Sequence, residues 1–178
     1  MNPFIQFKKT LMLPLLTALA LVVGAVSARA TPACGLSTMI LALEHYPAGS
    51  LNLMCNESDL YGWNLKTTVH GDSDVYIVQN TFSPGAHTGW HTHPGPSLVT
   101  VTSGTITAYE ASDPTCTPHV YHTGDSFTDL GCGDVHLLRN ESDTDMAVTL
   151  AVQVIPAGQP RRLDRDQPAN CPTITCPF

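Results

Sequence analysis

Two histidines, His91 and His93, are separated by one residue in the segment GAHTGWHTHPGPSLVTVTSG, Gly85 to Gly104. In an extended strand alternate side chains project to the same face, so both imidazoles can converge on one point. A third histidine, His136, lies in GCGDVHLLRN, just after Gly131 and Gly133. Neutral imidazole is a good ligand for zinc, iron, copper and nickel. Two histidines at strand spacing plus one from a distant strand would form a facial three-nitrogen site. Positions opposite the protein would stay open to water, oxygen or substrate. A lone histidine is ordinarily a surface or structural residue, so the His-x-His pair takes its weight from the pattern around it.

The elements that must carry these residues read as strands. From Leu65 onward, short runs rich in valine, threonine, isoleucine and tyrosine alternate with Gly, Pro and Asp punctuation, as antiparallel strands do. The pattern predicts strands near Leu65–His70, Val75–Phe82, Ser97–Thr102, Thr105–Glu110, His119–His122, Val135–Arg139 and Met146–Ile155, with Ser103-Gly104 as a hairpin-sized gap. Regular short strands with tight turns mean a sandwich, jelly roll or barrel, an all-β fold. Upstream, Leu36 to Tyr46 reads as a short helix capped by Ser37, with Met39, Ile40 and Leu43 on one face. From Pro156 the chain turns polar and proline-rich, which predicts a surface tail held by Cys171 or Cys176, without a core role.

The histidine segment resembles the first motif of the cupin superfamily, in which a glycine, His-x-His, a glutamate and a second glycine follow at set spacing. Gly85, His91, His93 and Gly104 fall in register, with Ser97 where the glutamate belongs. The second motif is matched by Gly124, Gly133, His136 and Asn140, with Gly131 in place of its proline and one extra residue before it. The wording WHTHPGP, DPTCTP and GDVHLLRN is similar to small secreted bacterial single-domain cupins. The resemblance covers roughly Asp74 to Pro156. It implies a single jelly-roll barrel and one divalent metal ion (iron, zinc, manganese, copper or nickel) on His91, His93 and His136. It also implies a small-molecule ligand or substrate and a possible homodimer. The family's glutamate commonly serves as a fourth ligand. Ser97 cannot replace it as an anionic donor, so a three-histidine site is expected, one that favours zinc or iron over magnesium or calcium.

Other residues enter as alternatives. His87 has the strand parity of His91 and could replace the missing glutamate, although a rim position on an exposed turn is the plainer expectation. Cys132, four residues before His136, could reach the site as a thiolate, but a turn with a disulfide or buried thiol fits its glycine neighbours better. His45, His70, His119 and His122 read as surface or barrel-rim residues. Trp90 has the opposite parity to His91 and should pack into the wall, whereas Tyr109 and Tyr121 either line the cavity or pack across strands. Asp125, Asp129 and Asp134 read as solvated turn acids. There is no Gly-x-Ser-x-Gly elbow, and Lys66 is the only lysine beyond the leader, so nucleophilic-serine and Schiff-base schemes find no support.

That leader is residues 1–30. Lys8 and Lys9 precede an apolar stretch from Leu11 to Val26, and Ala28-Arg29-Ala30 offers small residues for cleavage, the layout of a secretory signal. The apolar run is short for a bilayer span and Pro14 interrupts it. The expected organisation is signal peptide 1–30, N-terminal arm 31–64, barrel 65–156 and C-terminal tail 157–178. Without the leader, five basic residues face fifteen acidic ones, a formal −10, which disfavours nucleic acid and anionic membrane surfaces. All six cysteines fall after the leader. An even number in an exported chain points to disulfides, with Cys116 and Cys171 the preferred pair. Two functions fit: a metal-dependent enzyme of oxygenase, isomerase or lyase type, or a non-catalytic module that binds a metal or small ligand outside the cytoplasm. No general base is identifiable.

Overall fold

Along Ala147–Pro156 every second side chain is buried up to Ile155 and those between are half-buried. This period of two marks a strand with one face on a core. The same logic builds almost everything else. The computed structural model describes residues 30–57 and 62–176, so the expected leader lies outside the described residues except for Ala30. Within the described residues all regular structure is strand: β1 (Cys34–Tyr46), β2 (Met54–Glu57), β3 (Trp63–Lys66), β4 (Ser73–His87), β5 (His91–Thr92), β6 (Ser97–Ser103), β7 (Thr105–Glu110), β8 (His119–His122), β9 (Ser126–Asp129), β10 (His136–Arg139), β11 (Ala147–Pro156) and β12 (Leu163–Asp164).

Ten of these strands form one antiparallel sheet that curls into a nearly closed barrel, while β2 and β3 make a separate hairpin. The long β4 is its spine, with β1 on one side and β11 on the other. Beyond β11 come β6 and then β9. On the opposite wall β10 pairs with β5, with β7 and with the end of β4. Phe82, Ala86, Val101, Ile106, Ala108, Leu138 and Ala147 fill the barrel at one end. Gly104 turns β6 into β7 with φ +73°, and a Cβ there would run into the Met146 carbonyl, so the hairpin needs glycine at that position.

The sheet agrees with the all-β expectation, and most predicted strands from Val75 onward recur within a few residues. The helix expected over Leu36–Tyr46 is instead strand β1. Its apolar face is not buried: Met39, Ile40 and Leu43 are about half exposed, so no helix-packing surface forms. The fifteen-residue β4 leaves an edge whose N–H and C=O groups need partners, and β1 supplies them from Tyr46↔Ser73 to Cys34↔His87.

The tail also differs from expectation, because it does take part in a core. Cys171 is buried with Trp90, Cys116 and Leu137 in a second cluster, and Ile174 packs against them. Disulfides Cys116–Cys171 and Cys34–Cys176 tie the tail to the barrel, with Cα–Cα distances of 5.2 and 5.6 Å. The first of these is the pair favoured by the sequence. The segment they hold down includes Arg161 and Arg162, which matter below.

Candidate metal centre

After His87 ends β4, the chain must turn sharply to start β5. Gly89 makes this turn with φ +70°, packed so tightly on the Thr31 and Pro32 carbonyls that a Cβ has no room. The Trp90 N–H donates to Thr31 Oγ1 at 2.8 Å and the Trp90 indole N–H donates to Gln167 Oε1 at 3.1 Å. Trp90 therefore faces the outer wall, as its parity predicts, and His91 and His93 face inward. His136 lies directly across from His91 in the β5–β10 ladder. The centroids of the His91 and His136 rings are 4.3 Å apart, and those of His91 and His93 are 4.8 Å apart.

The three ligand nitrogens lie within 4.8 Å of one another, all on buried residues, a group that could hold a metal ion. Two of the rings are oriented by backbone acceptors. His91 Nδ1 donates to the Gly89 carbonyl at 2.9 Å and His93 Nδ1 donates to the Arg161 carbonyl at 2.6 Å. A bond of this kind fixes the tautomer and leaves Nε2 bare as a ligand. Burial pushes all three pKa values down, His91 well below its ordinary value and His93 to about 4. For His91 the neighbouring His136, Arg162 and His93 add to the effect. For His136 the Asp129 charge works against it. Neutral rings at neutral pH are the form a metal requires, so the residues fit a divalent ion.

Asp129 is where the sequence reading needs correction. It ends strand β9, its side chain is 7% exposed, and Oδ2 sits 3.3 Å from His93 Nε2 and 3.5 Å from His136 Nε2. It is not a solvated turn acid. The signal was available: Ser126–Asp129 alternates in burial once recognised as a strand, but four residues between turn glycines and acids gave too little pattern to read. Ser97 is Asp129's cross-strand partner. The buried Ser97 Oγ accepts a 2.9 Å bond from Gln153 Nε2, and Gln153 Oε1 accepts one of 2.8 Å from Arg161 Nη1.

These residues floor a cavity of about 220 Å³. Leu36, Val99, Phe127, Leu138 and Ala151 form its apolar wall, and Arg161 and Arg162 stand at its polar side. Arg162 is anchored by Nη2 donating to the Thr88 carbonyl and Nε donating to Asp164 Oδ1, both at 2.6 Å. Burial, then the neighbouring guanidinium, lowers the Arg161 pKa; burial lowers that of Arg162, against the pull of Asp164. Guanidinium remains charged in such settings.

The other sequence candidates lie elsewhere. His87 is buried rather than on an exposed rim, and it borders a separate crevice with Thr31, Cys34 and Cys176. Its Nδ1 accepts the Gly89 N–H at 3.1 Å. Cys132 is an exposed free thiol directed at the Pro94 carbonyl, neither bridged nor buried. His45, His70, His119 and His122 are exposed as expected. Tyr109 donates to Glu141 at 2.8 Å and Tyr121 stacks on Phe127, so both pack rather than face the centre. Asn140 has a structural role: its buried amide donates to the carbonyls of Phe82, Ser83 and Asp145.

A family model described as Cupin domain matches residues 79–153, the span that contains all three histidines. No curated protein matches the chain. Among solved structures it is similar to a polyketide cyclase from Streptomyces resistomycificus at 12% identity and a TM-score of 0.49, over 81% of this chain and 84% of that one. A cupin domain from Bordetella pertussis Tohama I is 19% identical, with a TM-score of 0.43 over 68% of this chain and 94% of the other. A conserved protein with a double-stranded β-helix domain from Klebsiella pneumoniae is 22% identical, with a TM-score of 0.42 over 52% of this chain and 76% of that one.

Proposed function

We propose that this chain, a member of the cupin superfamily, is an exported metal-dependent enzyme acting on a small anionic molecule. One observation carries the reading: three buried imidazoles converge at the floor of a walled cavity that also holds two guanidinium groups. His91, His93 and His136 would hold the ion. A divalent ion in such a site polarises a chelating substrate or activates water or oxygen, which leaves oxygenase, isomerase and lyase chemistry as the candidate classes.

The chain's own residues do the rest. The carbonyls of Gly89 and Arg161 orient His91 and His93, so the nitrogens wait in ligating geometry before any ion arrives. Arg161 and Arg162 offer donors to a carboxylate or similar oxyanion, held by Gln153, Thr88 and Asp164 rather than loose in solvent. Fixed charges of this kind bind an anion with little ordering cost, and an otherwise acidic chain has few other places to hold one. The apolar wall keeps bulk water from the reacting atoms. Two disulfides suit an oxidising compartment, in line with residues 1–30 as a secretion signal.

A non-catalytic module that captures the ion or a small anion is the second reading. What favours it is size, since about 220 Å³ is below the usual range for substrate pockets. The separating experiment is turnover. Protein loaded with iron, manganese, nickel, copper or zinc is screened against small hydroxy-, keto- and dicarboxylates, with Arg162→Gln as the comparison. Turnover by the parent, reduced at least tenfold in the variant, supports the enzyme. Saturable binding without turnover by any loaded form would leave the binding module.

A further inference from the structure

We infer that Asp129 is the anionic metal ligand of this centre, a carboxylate moved across one strand pair from the position where Ser97 now stands. The inference rests on the metal-centre reading above and adds a residue to it. Three observations carry it.

The first is distance. Atoms bound to one ion at 2.0–2.2 Å sit about 3–3.5 Å from each other. Asp129 Oδ2 is 3.3 Å from His93 Nε2 and 3.5 Å from His136 Nε2. Toward these two of the three histidines the separations are those of ligand to ligand, longer than the 2.7–2.9 Å of a charge-assisted hydrogen bond.

The second is enclosure. Side chains of His93 and Asp129 are each 7% exposed, so the carboxylate oxygen and the imidazole nitrogens meet where water has little access. A carboxylate buried in this way is unfavourable unless it is paired or coordinates a metal.

The third is register. Ser97 and Asp129 are directly opposed in the β6–β9 ladder, so their side chains share a face with Cβ atoms about 5 Å apart. A glutamate at position 97 and an aspartate at 129 would compete for the same volume. With serine at 97, held by Gln153, that volume is free and Asp129 reaches into it. The site is thus three nitrogens and one oxygen, with the oxygen delivered from β9.

The test uses the full processed chain and Co(II), whose visible spectrum reports its ligands. The parent should bind one Co(II) per chain, measured by chelator competition. Asp129→Asn should weaken it about 100-fold or more, beyond what loss of a merely supporting partner costs, and change the spectrum. Ser97→Glu/Asp129→Ala should recover affinity to within about tenfold of the parent. In parent protein carrying ¹³C-labelled aspartate carboxylates, adding metal should shift one carboxylate stretch in the infrared, a readout that needs no variant. Parent-like affinity and spectrum in Asp129→Asn, or no infrared shift, would overturn the assignment of Asp129 while leaving the histidine site intact. No Co(II) binding by the parent would overturn the site itself, and this inference with it.

Discussion

His91 and His93 each donate a ring proton to a carbonyl, which favours the charged ring, but burial outweighs it and makes their protonation costly where they stand. Burial depresses all three histidines, His93 to about 4. Free histidine takes its proton near 6.5. Between about 6.5 and 4 the unfolded chain therefore binds more protons than the folded one, and stability rises with pH across that window. Metal-free protein should be most stable above pH 7, lose melting temperature from pH 6.5 downward, and finish the His93 share of that loss near pH 4. Calorimetric scans from pH 4 to 8 check this. His93→Gln should flatten the slope, and an unchanged slope in that variant would contradict the burial argument. Arg161 and Arg162 make a second prediction at this scale. Arg162→Gln should weaken binding of a small carboxylate such as malonate to metal-loaded protein at least tenfold, measured by titration calorimetry, with the metal content unchanged.

Strands decided how much could be foreseen. His91, His93 and His136 were legible because strand parity alone puts the first two on one face and the motif spacing brings the third, and the structure brings the three together. Trp90 packing into the wall followed from the same parity. Asp129 was missed because β9 is four residues long and its partner Ser97 is thirty-two positions away in sequence, a contact that no local pattern encodes. The helix read over Leu36–Tyr46 failed for a related reason. Apolar spacing there fits a helix, but the edge of β4 recruited the segment as β1. Among the described residues that strand pairs only with β4, and it exposes Met39, Ile40, Leu41 and Leu43. Free edges with apolar side chains invite pairing, so we expect a second copy to dock there. Light scattering should find a dimer, converted to monomer by Ile40→Lys/Leu41→Lys. A monomeric parent at tens of micromolar would contradict this.

At the scale of the molecule, a short barrel works because its ends are tied down. The tail brings Arg161 and Arg162 to the cavity and caps the Trp90 cluster, and two disulfides hold it. The fold class was readable from composition and punctuation, but the tail's role was not. Its polar, proline-rich texture gives no period, and the contacts that matter, Cys171 and Ile174 on Trp90 and Leu137, are long-range. Cys116 and Cys171 are 55 residues apart, a loop whose cross-link contributes about 4 kcal/mol by chain entropy. Cys116→Ala/Cys171→Ala should lose roughly 2–5 kcal/mol in denaturant unfolding.

The central claim is that His91, His93 and His136 hold one divalent ion. Its most direct test is the metal content, by mass spectrometry, of untagged purified protein, beside His91→Ala/His93→Ala. The account predicts near-stoichiometric metal in the parent and almost none in the variant, with both folded by circular dichroism. A parent that carries no more metal than the variant, even after reconstitution near neutral pH, would contradict it.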